Sequence, residues 1–155
     1  MKNTQNKMVI GYTPLTIKGN NYVEINLRYL SKLGSIKKVP SLKEIARYPW
    51  SLIKLKYDVI IINWAENGLI THSGKPSPFG LIKLRIWMLI LRITSKKIIF
   101  VKHNNYPHST KGEYGSLVSK QVSSIENLAS LSITHSGHNV SSKRLYVPHP
   151  LYQNK

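Results

Sequence analysis

The stretch Tyr57-Asp58-Val59-Ile60-Ile61-Ile62-Asn63 decides the fold. From Val59 to Ile62 every residue is β-branched and apolar, with no polar alternation that would turn one face toward water. Such a run belongs to a strand buried on both faces, the habit of parallel sheets sheathed in helices. Lys97 to Val101 (KIIFV) repeats the signature downstream, and Lys7 to Tyr12 (KMVIGY) gives a shorter version upstream.

Helical patterns fill the gaps. Asn20 to Leu33 sets Val23, Leu27 and Leu30 on one face, with Tyr22, Tyr29 and Leu33 beside it, and Gly34 reads as a C-terminal stop. Ile36 to Pro40 reads as a short strand. Ser41 and Glu44 form a capping box that opens a helix, which Pro49 must break or kink. Ser77-Pro78 supplies an N-cap and a first-turn proline for a helix from Phe79 to Ser95. Gly115 to Ala129 carries Leu117, Val118, Val122, Ile125 and Leu128 at helical spacing, and Leu131 to Thr134 and Leu145 to Val147 read as two last short strands. The alternation predicts an α/β fold: a Rossmann-like, doubly wound, mostly parallel sheet with helices on both faces. At 155 residues the chain reads as a single domain over 1–155.

Composition narrows the function. A hydrophobic fraction of 41% supports a core and excludes a disordered chain. Without cysteine there is no disulfide scaffold, thiolate metal site or thiol nucleophile. Lys and Arg number 23 against 6 Asp and Glu, a net +17, which calls for an anionic partner: nucleic acid, acidic lipid or a phosphorylated substrate. The apolar run Met8 to Tyr12 is too short for a signal-peptide core, and no stretch of about 20 apolar residues could span a bilayer. These features predict a cytoplasmic protein.

In doubly wound sheets, ligands bind at the carboxyl ends of the strands. Each predicted strand here ends in polar residues: Tyr12-Thr13, Asn63-Trp64-Ala65-Glu66, His103-Asn104-Asn105, Thr134-His135-Ser136, and His149 between Pro148 and Pro150. If the strands are parallel, these clusters converge on one rim, although loops also begin with polar residues for no functional reason. There is no P-loop, no G-x-G-x-x-G after the first strand and no serine nucleophile elbow. His103, His108, His135 and His138 stand in predicted loops rather than at helical i, i+4 spacing, with Glu113 the carboxylate nearby, so no metal is expected. His103, directly after a buried strand, reads as a hydrogen-bonding group for substrate or as a clasp for its own loop.

Two further segments mix basic residues with large apolar or aromatic ones. Arg47, Tyr48, Trp50, Lys54 and Lys56 mix basic and aromatic side chains around a broken helix, which suits an acidic membrane surface and equally an ordinary solvated face. Ser77 to Lys97 is rich in large apolar residues, with Arg85, Arg92 and Lys96 on one narrow stripe, and reads as a crossover helix packed under the sheet.

Four landmarks in order, GNNYVEINLRYLSKLG (from Gly19), YDVIIINWAENG (from Tyr57), IIFVKHNNYPHS (from Ile98) and SITHSG followed by LYVPHPLY, run from about Val9 to Tyr152. With them the chain resembles the N-terminal, acceptor-binding domain of GT-B-fold bacterial glycosyltransferases of surface-polysaccharide biosynthesis. The resemblance implies a sugar moved from a nucleotide-sugar donor to a saccharide or lipid-linked acceptor, with no bound metal or other cofactor. It implies that His103 contacts the donor sugar across the cleft and that Glu66 is the carboxylate to consider as base, with Asp58 more plausible as a structural residue. Thr13, Asn63, Trp64, Asn104, Asn105, His135, Ser136 and His149 would then line the substrate cleft. The donor-binding C-terminal domain of that family has no counterpart before Lys155, so the resemblance implies a nucleotide-sugar bound by a separate or missing half. It also implies a location on the inner face of an anionic membrane. The rival readings are a basic nucleic-acid-binding module and a non-catalytic partner of a donor-domain protein. Against nucleic acid, the basic residues are spread along the chain, and no zinc finger, RNP motif or basic zipper is present.

Overall fold

The computed structural model describes residues 7–17, 21–135 and 140–148. Along the chain it forms β1 (Met8–Thr13), α1 (Asn21–Leu33), β2 (Gly34–Lys38), α2 (Leu42–Arg47), α3 (Ser51–Lys54), β3 (Tyr57–Asn63), a 3-10 turn (Ala65–Leu69), α4 (Pro78–Thr94), β4 (Ser95–Lys102), a second 3-10 turn (Gly112–Tyr114), α5 (Gly115–Glu126), β5 (Leu131–Thr134) and β6 (Arg144–Tyr146). The strands make one sheet in the order β2-β1-β3-β4-β5-β6, and every neighbouring pair is parallel. The chain steps outward from β1 to β2, then returns past β1 to β3 and continues to the far edge. That reversal puts a topological switch point between β1 and β3.

Helix α1 packs on one face of the sheet, and α4 and α5 pack on the other. On the larger side, Ile60 and Ile62 of β3 and Ile98 and Phe100 of β4 form one core with Met88 and Leu91 of α4 and Val118, Val122 and Ile125 of α5. On the opposite face, Ile10 and Tyr12 of β1 are buried with Tyr22 and Val23 of α1, outside that cluster. The Rossmann-like α/β expectation is what the structure shows.

Local signals explain most boundaries. The Ser41 hydroxyl accepts the Glu44 amide at 3.2 Å and the Glu44 carboxylate accepts the Ser41 amide at 2.8 Å, so the capping box opens α2, which stops before Pro49. The Ser77 hydroxyl accepts the Gly80 amide at 3.0 Å and Pro78 occupies the first turn of α4. Gly34 acts differently from expectation. It opens β2 opposite Met8, without the left-handed φ of a glycine cap, and a Cβ there would lie 2.2 Å from the Met8 carbonyl oxygen. Close approach of two strands, rather than helix termination, requires the glycine.

A buried ionic cluster fastens the far edge. The Arg144 guanidinium of β6 donates from Nε and Nη2 to both Glu126 carboxylate oxygens at 2.6 and 2.7 Å; the Ser132 hydroxyl donates to Glu126 at 2.7 Å; Lys102 Nζ lies 3.5 Å away. Burial pushes the Glu126 carboxyl up, but Arg144, Ser132 and Lys102 together outweigh it and leave it below the ordinary range. Glu126→Gln would take the carboxylate charge away from buried Lys102 and half-buried Arg144, so urea unfolding should report a loss of about 3–5 kcal/mol. A loss below about 1 kcal/mol would show that the cluster behaves like a surface pair.

Candidate functional site

Asn63 is the last residue of β3, and its buried amide reads across three strands. Its Nδ2 donates to the Thr13 carbonyl at the end of β1 (3.3 Å), so its Oδ1 faces His103 just beyond β4. The His103 Nε2 lies 3.2 Å from that oxygen and therefore carries the proton.

Trp64 follows in a left-handed conformation, φ 51° and ψ 26°. For a bulky side chain this costs about 1–3 kcal/mol, and such strain gathers at functional sites. Ring packing holds it there. The indole stacks on the His103 imidazole with centroids 4.2 Å apart and planes 9° from parallel. Tyr22 of α1 meets Trp64, His103 and His135 edge-on at 5.6, 5.0 and 5.6 Å. His135 Nδ1 donates to the Val147 carbonyl at 2.7 Å, leaving Nε2 to accept the Tyr22 hydroxyl at 3.2 Å. The rings of His103 and His135 are 5.0 Å apart.

The predicted rim residues Thr13, Asn63, Trp64, His103 and His135 thus come together, and Asn104 and Asn105 follow in the loop after β4. Ser136 and His149 lie outside the described residues. Tyr22 joins the cluster although its spacing in the sequence reads only as one more apolar position of a helix. The signal was its place in the first turn after β1, which the crossover delivers to the carboxyl edge.

Beside the cluster, at the switch point, a groove of about 960 Å³ runs between the ends of β1 and β2 and the first half of α4, lined by Pro14, Leu15, Lys38, Leu42, Lys83 and Trp87. An adjoining crevice of about 580 Å³ reaches Asn63 and Trp64. The Trp87 indole N–H donates to the Pro40 carbonyl at 2.8 Å and ties α4 to the groove's far wall. Close packing brings α4 in: a Cβ on Gly80 would lie 2.1 Å from the Gly68 carbonyl oxygen. Among the described residues, no three His, Asp or Glu side chains gather as metal ligands.

Glu66 departs from expectation. Its side chain is 1% exposed, and neither carboxylate oxygen has a hydrogen-bond partner among the described residues. It does not open onto the rim, so the role of accessible base does not fit it. The 3-10 turn after Trp64 folds the carboxyl inward, and periodicity in a loop carries no signal for that direction. Burial pushes its pKa up to about 7, only partly offset by the pull of its own backbone amide and then by the Lys102 charge. Asp58 is structural, as read: it accepts the Val9 amide at 2.8 Å and pairs with Lys96 at 2.7 Å.

Comparison with protein-family models, curated proteins and solved structures finds no match to this chain.

The Glu66 geometry fixes a pH dependence. A carboxyl raised from 4.5 to about 7 on folding favours the native state below pH 4.5, and that contribution is lost as pH rises to 7. Glu66→Gln keeps the shape without the ionisation. Its stability relative to the parent should therefore climb between pH 4.5 and 7, by at most about 3 kcal/mol, in urea titrations across that range. A parent–variant difference that is the same at both ends of the range would contradict an ionising buried carboxyl.

Proposed function

We propose that the chain is the acceptor-binding half of a GT-B-type glycosyltransferase that transfers a sugar from a nucleotide-sugar to a saccharide or lipid-linked acceptor in surface-polysaccharide assembly. The observation that carries this reading is the Asn63–His103–Trp64 arrangement, an indole on a left-handed backbone stacked on an imidazole that faces the Asn63 carbonyl at the carboxyl edge beside the switch-point groove. Aromatic walls with a few placed polar groups suit a saccharide, whose C–H faces pack on rings while its hydroxyls need directional partners. His103 is the group assigned to a reacting sugar, and Thr13, Asn63, Trp64 and His135 its neighbours. Asn104 and Asn105 extend the same edge. The nucleotide-sugar would be held by a donor domain facing this edge, with no metal required. Lys83 on the groove wall supplies positive charge toward a diphosphate-linked acceptor, whereas Lys38 is paired with Glu44 on the same wall.

NMR titration of the chain with a lipid-diphosphate-linked saccharide tests the reading. The side-chain signals of Trp64, His103 and His135 should move first. His103→Ala should weaken binding about tenfold, the worth of one directional hydrogen bond, in a chain that still folds but melts at a lower temperature because the stack on Trp64 and the partner of Asn63 are lost. Unchanged affinity in that variant, or tighter sequence-selective binding to an RNA oligomer, would overturn it.

A further inference from the structure

Helix α4 is apolar on two opposite sides. Met88, Leu91 and Thr94 are buried against the sheet. Phe79, Ile82, Ile86, Leu89 and Ile93 point the other way and are 46 to 87% exposed. Their spacing of three, four, three and four residues aligns them in one outward stripe about 21 Å long. A helix apolar all round belongs in an interior, and the sheet accounts for only one of its sides. The crossover-helix expectation explains the buried side and not this one.

The surroundings of the stripe are cationic. Exposed Lys83, Arg85 and Arg92 flank it, and α4 contains no acidic residue. The turn between α2 and α3 exposes Tyr48, Trp50 and Ile53 beside Arg47, Lys54 and Lys56. The carboxylates nearest in sequence are spoken for: Glu44 pairs with Lys38, Asp58 pairs with Lys96, and Glu66 is buried.

We propose that the outward stripe of α4 docks in the headgroup region of an anionic lipid bilayer, with Lys83, Arg85 and Arg92 on lipid phosphates. Charge selects this occupant. A second copy meeting the same stripe would set these cations against their own equivalents, whereas an anionic leaflet neutralises them. No described helix is long and apolar enough to cross a membrane, so α4 lies in the interface plane. Gly80, Lys83 and Leu84 also line the groove at the switch point, so a bilayer on this stripe would border the groove. This deepens the proposed function by naming the surface next to which a lipid-linked acceptor would enter. It rests on that reading for the acceptor only.

Flotation of the full chain with vesicles of phosphatidylglycerol and phosphatidylcholine, against phosphatidylcholine alone, tests the proposal. Binding should require the anionic lipid and fall with added salt. Ile86→Asp with Leu89→Asp, and separately Arg85→Glu with Arg92→Glu, should each weaken binding by about tenfold or more while the melting temperature holds, since all four side chains are exposed. Ile86→Trp should add to the emission of the three native tryptophans a component that shifts to the blue and is quenched by brominated lipid. Equal binding to neutral vesicles would overturn the proposal, as would variants that bind like the parent. So would a concentration-dependent dimer that Ile86→Asp with Leu89→Asp disperses while no vesicle is bound. Vesicle binding by a chain that binds no saccharide would sustain the docking surface and count only against the sugar-transfer reading.

Discussion

Parallel pairing of β3 with β1 on one side and β4 on the other is the constraint from which the rest follows. Antiparallel strands would scatter their ends over both edges of the sheet. Parallel ones send Thr13, Asn63, His103 and His135 to the same edge, whatever their separation in sequence. Asn63 converts that placement into geometry, because one amide can donate to β1 and accept from the loop after β4 only if the three strands keep this register. The β1–β3 reversal then opens the crevice beside the same residue.

The site is held by opposed local costs. Trp64 accepts a left-handed backbone that its side chain disfavours, and the stack on His103 with Tyr22 edge-on offsets it. Two residues later, Glu66 buries a carboxyl without hydrogen-bond partners among the described residues. Both features lie on the turn that leaves the central strand. Elsewhere the few acidic residues are mostly committed to ion pairs, which leaves the Lys and Arg excess on the surface and makes the outer layer of helices cationic.

The sheet was legible in the sequence because its signals are local. A β-branched run makes Tyr57–Asn63 a strand, Ser41 with Glu44 caps α2, and Ser77-Pro78 opens α4, all within a few residues. The convergence of Thr13, Asn63, Trp64, His103 and His135 was legible too, because parallel topology turns strand ends into neighbours. What stayed hidden depends on contacts distant in sequence or on side-chain direction. Gly34 is required by the Met8 carbonyl and Gly80 by the Gly68 carbonyl. Tyr22 joins the site through rings from three other segments, and Glu66 turns inward. The two-sided apolar surface of α4 reads in one dimension as a single well-buried helix.

The central claim is that the carboxyl edge around His103 receives a saccharide. Photoaffinity labelling with a diazirine-bearing, lipid-diphosphate-linked saccharide tests it most directly, with the modified residues mapped by mass spectrometry. The account predicts adducts competed by unlabelled ligand and confined to the edge, on Thr13 to Leu15, Trp64, His103 to Asn105 and His135. Adducts confined to the opposite edge, near Gly34, Tyr57, Ser95 and Leu131 where β2 to β5 begin, would contradict it, as would labelling that unlabelled saccharide does not compete.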